Sequence, residues 1–195
     1  MNENFNIVIL GVGGQGLMTL LRVLSQAALS SGFDVKTSEL HGLSQRGGSV
    51  NVHIRFGEKA CPESGRRVWS PLVPQGQADL VIALEQQEAL NGLYFANKNS
   101  VFLINEYETP TMAQTAGQAE IENELKKMSN QVFFLPASQV CQKELGNEVV
   151  CGVYFLGYAL KNGYLPLKKE NIIEAIKKTI SEKYQELNIK ALNLP

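Results

Sequence analysis

Two short stretches hold the residue types best suited to chemistry. One is Gly11-Val12-Gly13-Gly14-Gln15-Gly16, with glycines at the first, third and sixth positions of GxGxxG. The other is Arg46-Gly47-Gly48, inside the polar run Ser38-Glu39-Leu40-His41-Gly42-Leu43-Ser44-Gln45-Arg46-Gly47-Gly48-Ser49-Val50. Glycines at a strand-to-helix turn leave backbone N–H groups open at the positive end of the helix dipole, where phosphate is the natural ligand. In that reading Gly11 makes the turn, Gly13 admits a bound group to the backbone, and Gly16 lets the helix approach the strand, with Gly14 and Gln15 completing the loop. The plainer reading is helix–strand packing alone. Arg46 beside two glycines offers a planar guanidinium with approachable N–H groups, suited to a phosphate or a carboxylate. A solvated surface turn is its alternative. Glu39 falls where an NAD-binding domain carries its ribose-binding acid, a weak signal in a chain 19% charged. His41 has no partner acid or nucleophile identifiable from spacing, and no residue reads as an independent catalytic base or nucleophile.

The elements around these stretches decide how they are presented. Phe5–Leu10 is a short, nearly continuous apolar run, as expected of a strand buried on both faces. Leu17, Leu20, Leu21, Leu24 and Ala28 then repeat at helical spacing over 17–29, closed by Ser31-Gly32. Residues 33–38 read as a second strand. Residues 38–50 read as a loop shaped for contact, where a dinucleotide-binding domain would start a helix. Val50, Val52, Ile54 and Phe56 alternate with Asn51, His53 and Arg55. The expectation is a half-exposed strand with His53 on its polar face, paired with a returning strand over 66–70.

Further on, strands are expected over 78–84, 100–105 and 131–135, and helices over 85–93, within 110–128, up to Gly146, and over 149–160. A final helix is expected from Lys168 to about Leu187, started by Pro166. Strands alternating with helices specify one α/β domain over 1–195, a Rossmann-like, doubly wound, mostly parallel sheet with an inserted hairpin. Its ligand site is expected at the carboxyl ends of the strands.

Composition removes several function classes. The 18 Lys and Arg nearly cancel the 19 Asp and Glu, leaving no broad basic field for nucleic acid or an anionic membrane. No apolar run approaches membrane-spanning length, and the N-terminus does not read as a signal peptide, so the expected location is the cytoplasm. Cys61, Cys141 and Cys151 are scattered without a CxxC pair, against a disulfide framework, a structural zinc site or an iron–sulfur cluster held by this chain alone.

Taken together, the two motifs resemble the gamma domain of 2-oxoacid:ferredoxin oxidoreductases, over essentially the whole chain. His41-Gly42 with Gln45-Arg46 is most similar to the small beta subunits of the indolepyruvate branch; pyruvate and 2-oxoglutarate branches usually carry a Gly-Pro-Glu type sequence before Arg-Gly-Gly. The resemblance implies an inactive-alone subunit of a hetero-oligomer that oxidatively decarboxylates an arylpyruvate, forms an acyl-CoA and reduces ferredoxin. It places thiamine diphosphate, magnesium and the iron–sulfur clusters on a large alpha subunit. It leaves coenzyme A as a possible ligand of Gly11, Gly13, Gly14, Gln15, Gly16, Arg46, Gly47 and Gly48. It also implies a surface that is apolar, or self-associating, when the partner is missing. Two other classes stay open: a nicotinamide-dependent oxidoreductase using Glu39, and a non-catalytic interaction module.

Overall fold

A computed structural model describes residues 4–42, 48–58, 68–110 and 115–195. Six strands, β1 (Asn4–Val12), β2 (Phe33–His41), β3 (Ser49–Glu58), β4 (Leu80–Ala83), β5 (Val101–Asn105) and β6 (Gln131–Leu135), form one sheet in the order β2-β3-β1-β4-β5-β6. β1, β4, β5 and β6 pair in parallel, while β3 runs antiparallel to both of its neighbours, β1 and β2. The sheet is therefore mixed and mostly parallel, as the alternation of strands and helices predicts.

The inserted hairpin differs from the expected one. Its arms are β2 and β3, with His41 opposite Val50, so β2 continues through Ser38–His41 where a loop was expected. Ser38, Glu39 and His41 are polar because β2 is the outer strand of the sheet and largely exposed. Both edges of β3 are thereby taken, and residues 68–70 do not pair with it. Instead they cross its polar face, which explains a second difference: His53 and Arg55 are buried.

Each face of the parallel strands feeds a separate core. Ile7, Ile9, Leu80, Ile82 and Leu103 pack with Leu20 and Leu24 of α1 (Leu17–Ser30) and with Phe155 of α4 (Cys151–Lys161). Val8, Leu10, Val81, Phe102 and Ile104 pack on the opposite side against a 3-10 helix (Gln87–Tyr94) and α2 (Gln118–Lys126). Burial on both faces is why these strands read as unbroken apolar runs. Truncating any of the fully buried leucines to alanine costs about 2–5 kcal/mol.

The expected long C-terminal helix is two helices, α5 (Lys169–Thr179) and α6 (Glu182–Asn193), and Pro166 precedes α5 rather than starting it. Ile180 and Ser181 are extended between them. The Thr179 hydroxyl turns back to the Ala175 carbonyl, and Gln185 Nε2 donates to the Lys177 and Ile180 carbonyls, so side chains satisfy the interrupted backbone. Gly157 of α4 lies so close to the Leu192 carbonyl of α6 that a Cβ there would overlap it.

Candidate functional site

The glycine turn leaves the end of β1 and opens α1, as its spacing predicts, but the glycines divide the work differently. Gly11 is not the turn: it lies inside β1 opposite Val50. A Cβ there would stand 2.6 Å from Gln15 Oε1 and 3.3 Å from Leu84 Cβ, so Gly11 makes the close approach. Gly14 and Gly16 make the turn, at φ +106° and +83°, in the left-handed region that glycine enters without penalty. A Cβ on Gly16 would meet nothing closer than Val149 O at 3.6 Å, so its conformation, not helix–strand contact, requires glycine.

Gln15 is a brace for this turn. Its Oε1 accepts the Val12 N–H at 2.9 Å, and its Nε2 donates to Leu84 O at 3.4 Å, tying the loop to the end of β4. The Gly13 N–H donates to Gly48 O at 3.0 Å. That bond joins the glycine turn to Gly48, the last residue of the second motif's Arg-Gly-Gly. Arg46 and Gly47 lie outside the described residues. Among the described residues no side chain caps α1, and in its first turn the Thr19 N–H donates to Gly16 O at 2.9 Å.

A cavity of about 300 Å³ opens against the turn, lined by Gly13, Gly14 and Gln15 on one side and by Tyr107, Thr109 and Ser138 on the other. Across Val149 a second cavity of about 320 Å³ reaches Gly16, Leu20, Tyr184 and Asn188. The helix N-terminus thus stands between two recesses at the carboxyl ends of β1, β5 and β6.

The polar residues that shape the first recess carry no motif. Asn105, at the last position of β5, donates from Nδ2 to Leu84 O at 3.1 Å and to Ser138 Oγ at 2.7 Å. Its Oδ1 accepts the Ser138 N–H at 3.1 Å, which fixes the start of α3 (Ala137–Leu145). Glu85, buried just after β4, accepts the Glu88 and Thr109 N–H groups at 2.9 and 3.2 Å. Burial raises its carboxyl pKa against the lowering by those donors. The available signal was a polar residue ending an apolar strand, a position that opens onto the ligand side of a parallel sheet.

Burial also raises the thiols of Cys151, which lines the first recess, and of Cys141, the latter to about 12. Neither is a thiolate at neutral pH, in keeping with cysteines that act as small packing groups. Cys61 lies outside the described residues. Glu39 stands on β2, separated from β1 by β3, which puts it roughly 10 Å from the strand carrying the glycine turn. Its carboxylate lies 3.5 Å from His41 Nε2.

The pyruvate ferredoxin/flavodoxin oxidoreductase family model matches residues 6–194. The chain belongs to that family. Subunit IorB of an indolepyruvate oxidoreductase from Archaeoglobus fulgidus is 38% identical over 97% of this chain and 92% of its own length. Subunit VorA of a ketoisovalerate oxidoreductase from Methanothermobacter thermautotrophicus is 28% identical over 95% of this chain, which spans only 34% of that longer protein. A 2-oxoglutarate:ferredoxin oxidoreductase from Magnetococcus marinus, solved with 2-oxoglutarate, coenzyme A and succinyl-CoA bound, superposes over 99% of this chain and 30% of its own. Its TM-score is 0.72 at 14% identity, a likeness of fold.

Proposed function

We propose that this chain is the small subunit of a ferredoxin-dependent oxidoreductase for indolepyruvate or related arylpyruvates. The observation that carries the reading is the end-to-end similarity to an indolepyruvate oxidoreductase subunit of nearly the same length. A gamma subunit of a pyruvate or 2-oxoglutarate enzyme is the less favoured alternative. The position of Glu39, two strands from the glycine turn, speaks against a nicotinamide site.

The chain works in a complex with a large alpha subunit to which thiamine diphosphate, magnesium and the iron–sulfur clusters belong, and through which ferredoxin is reduced. Oxidative decarboxylation of the oxoacid takes place on those groups. This chain contributes a shaped, anion-binding surface. The first turn of α1, which no described side chain caps, the open space beside Gly14 and the two recesses flanking Val149 suit the pyrophosphate of coenzyme A with an apolar arm on either side. Gly11, Gly13, Gly14, Gln15 and Gly16 hold the loop, and Gly48 closes it from the hairpin. Arg46, with Gly47 beside it in sequence, supplies the guanidinium that pairs with a phosphate or with the substrate carboxylate.

Co-production with the large subunit and a ferredoxin-linked assay over several 2-oxoacids tests this reading. Turnover is expected for arylpyruvates with the complex and for neither chain alone. Turnover by this chain in isolation would refute it. Isothermal titration of the purified chain with coenzyme A and with NADH separates the anion-site reading from a nicotinamide enzyme.

A further inference from the structure

The candidate site is assembled from two stretches far apart in sequence, the glycine turn and the chain at Gly48, and the Gly13–Gly48 bond joins them. What holds Gly48 in place to make that bond lies outside both motifs. Ser49, the next residue, stands opposite Val12 at the last pair of the β1–β3 ladder. Its carbonyl accepts the Gly42 N–H at 3.2 Å, which ties residues 42 and 49 to each other. Arg46 falls between those two residues in sequence.

The Ser49 side chain points away from the hairpin, to a residue 39 positions further on. Its hydroxyl donates to Glu88 Oε2 at 2.6 Å. Glu88 lies in the first turn of the 3-10 helix, which packs on the face of the sheet opposite α1. The same Oε2 accepts Asn91 Nδ2 at 2.8 Å. The Glu88 N–H donates to Oε2 of Glu85, whose Oε1 accepts the Thr109 N–H. Glu85 is 2% exposed, so its position is set by packing as well as by these bonds. One buried carboxylate therefore anchors Thr109, on the wall of the first recess, and Glu88, which holds the end of the hairpin. Hydrogen bonds to a carboxylate are among the stronger ones, and this one is half-buried at the joint where the two motifs meet.

We propose that Glu88 is a positioning residue of the candidate ligand site: through Ser49 it holds Gly48 against Gly13 and so fixes the glycine turn relative to the Arg-Gly-Gly stretch. Glu88 lines neither recess, and its effect reaches the ligand only through that joint. A turn already held in its binding conformation avoids the ordering cost that a loose one meets when the ligand arrives. The proposal rests on the small-subunit reading above, in which the turn takes the pyrophosphate of coenzyme A.

The test reads the joint and the ligand separately. In the full chain labelled with nitrogen-15, amide hydrogen exchange at Gly13 reports the bond to Gly48. Ser49→Ala and Glu88→Ala are each expected to speed it about tenfold or more. The double variant is expected to exchange no faster than either single one, because both substitutions remove the same interaction. Glu88→Gln keeps an acceptor oxygen and is expected to recover most of the protection. In the complex with the large subunit, Glu88→Ala is expected to raise the KM for coenzyme A about tenfold with kcat kept, and Glu88→Gln to bring it back towards the parent value. Equal acceleration at the Ala89 N–H, which is bonded to Gln86 O at the start of the 3-10 helix, would mean general loosening and overturns the inference. Unmoved exchange at Gly13, or an unmoved KM for coenzyme A, also overturns it and leaves the small-subunit reading intact. An inactive parent complex overturns both.

Discussion

Arg46 is the residue on which the ligand reading turns. Two glycines follow it, and the second of them, Gly48, accepts the Gly13 N–H of the glycine turn. Arg46→Lys keeps the charge and removes the planar two-point contact. Losing a charge-assisted contact of about 1.5–3 kcal/mol raises one Michaelis constant roughly tenfold to a hundredfold in the assembled complex. Varying coenzyme A and the 2-oxoacid separately identifies which one. Unchanged kinetics would make the arginine scaffolding. His53 carries a prediction of a different kind. Burial lowers its pKa below the ordinary 6.5, so the unfolded chain takes up the proton first as pH falls. The stability it contributes is complete above about 6.5 and is lost as pH drops through its folded value. Urea melts from pH 7.5 to 5 are expected to show this loss, and His53→Gln, which keeps an acceptor for the Val73 N–H, to reduce it. An identical pH slope in the variant would contradict the assignment. In sequence His53 reads as a polar-face residue because alternation reveals which side a residue points to. It does not reveal that residues 68–73 fold back over that side.

At the scale of elements, legibility followed locality. The glycine turn, α1 and β4 to β6 were readable because apolar runs and turn residues lie together in the chain. The β2–β3 pairing was misplaced because a polar edge strand looks like a loop until its neighbour is known. The break between α5 and α6 was hidden by apolar spacing that continues through Ile180, whereas Thr179 and Gln185 favour an interruption through side-chain bonds to the backbone. The contact of Gly157 with Leu192 is equally invisible, since nothing local says which helix crosses α4. Gly157→Ala must push α6 away, and overpacking of this kind costs about 1–3 kcal/mol. Thermal unfolding of the two proteins measures it. A variant as stable as the parent would mean that α6 slides freely on α4.

For the whole molecule, the family model matches residues 6–194, while this chain spans about a third of a longer relative's single polypeptide. The candidate site holds a helix N-terminus that no described side chain caps, a braced glycine turn and two recesses, and Cys141 and Cys151 are protonated packing groups. Under the proposed function, recognition and shape belong here and redox chemistry to the partner. The strand-to-helix glycine turn was legible in sequence, whereas Asn105, Glu85 and Ser138 joined the candidate site only once the strand ends converged. No helix among the described residues is long and apolar enough to cross a membrane. The most direct test of the small-subunit assignment is ferredoxin reduction by the purified complex of this chain with its large subunit, supplied with indolepyruvate and coenzyme A. Acyl-CoA formation that requires both chains and prefers arylpyruvates is the predicted result. Equal turnover by the large subunit alone, or by this chain alone, would contradict it.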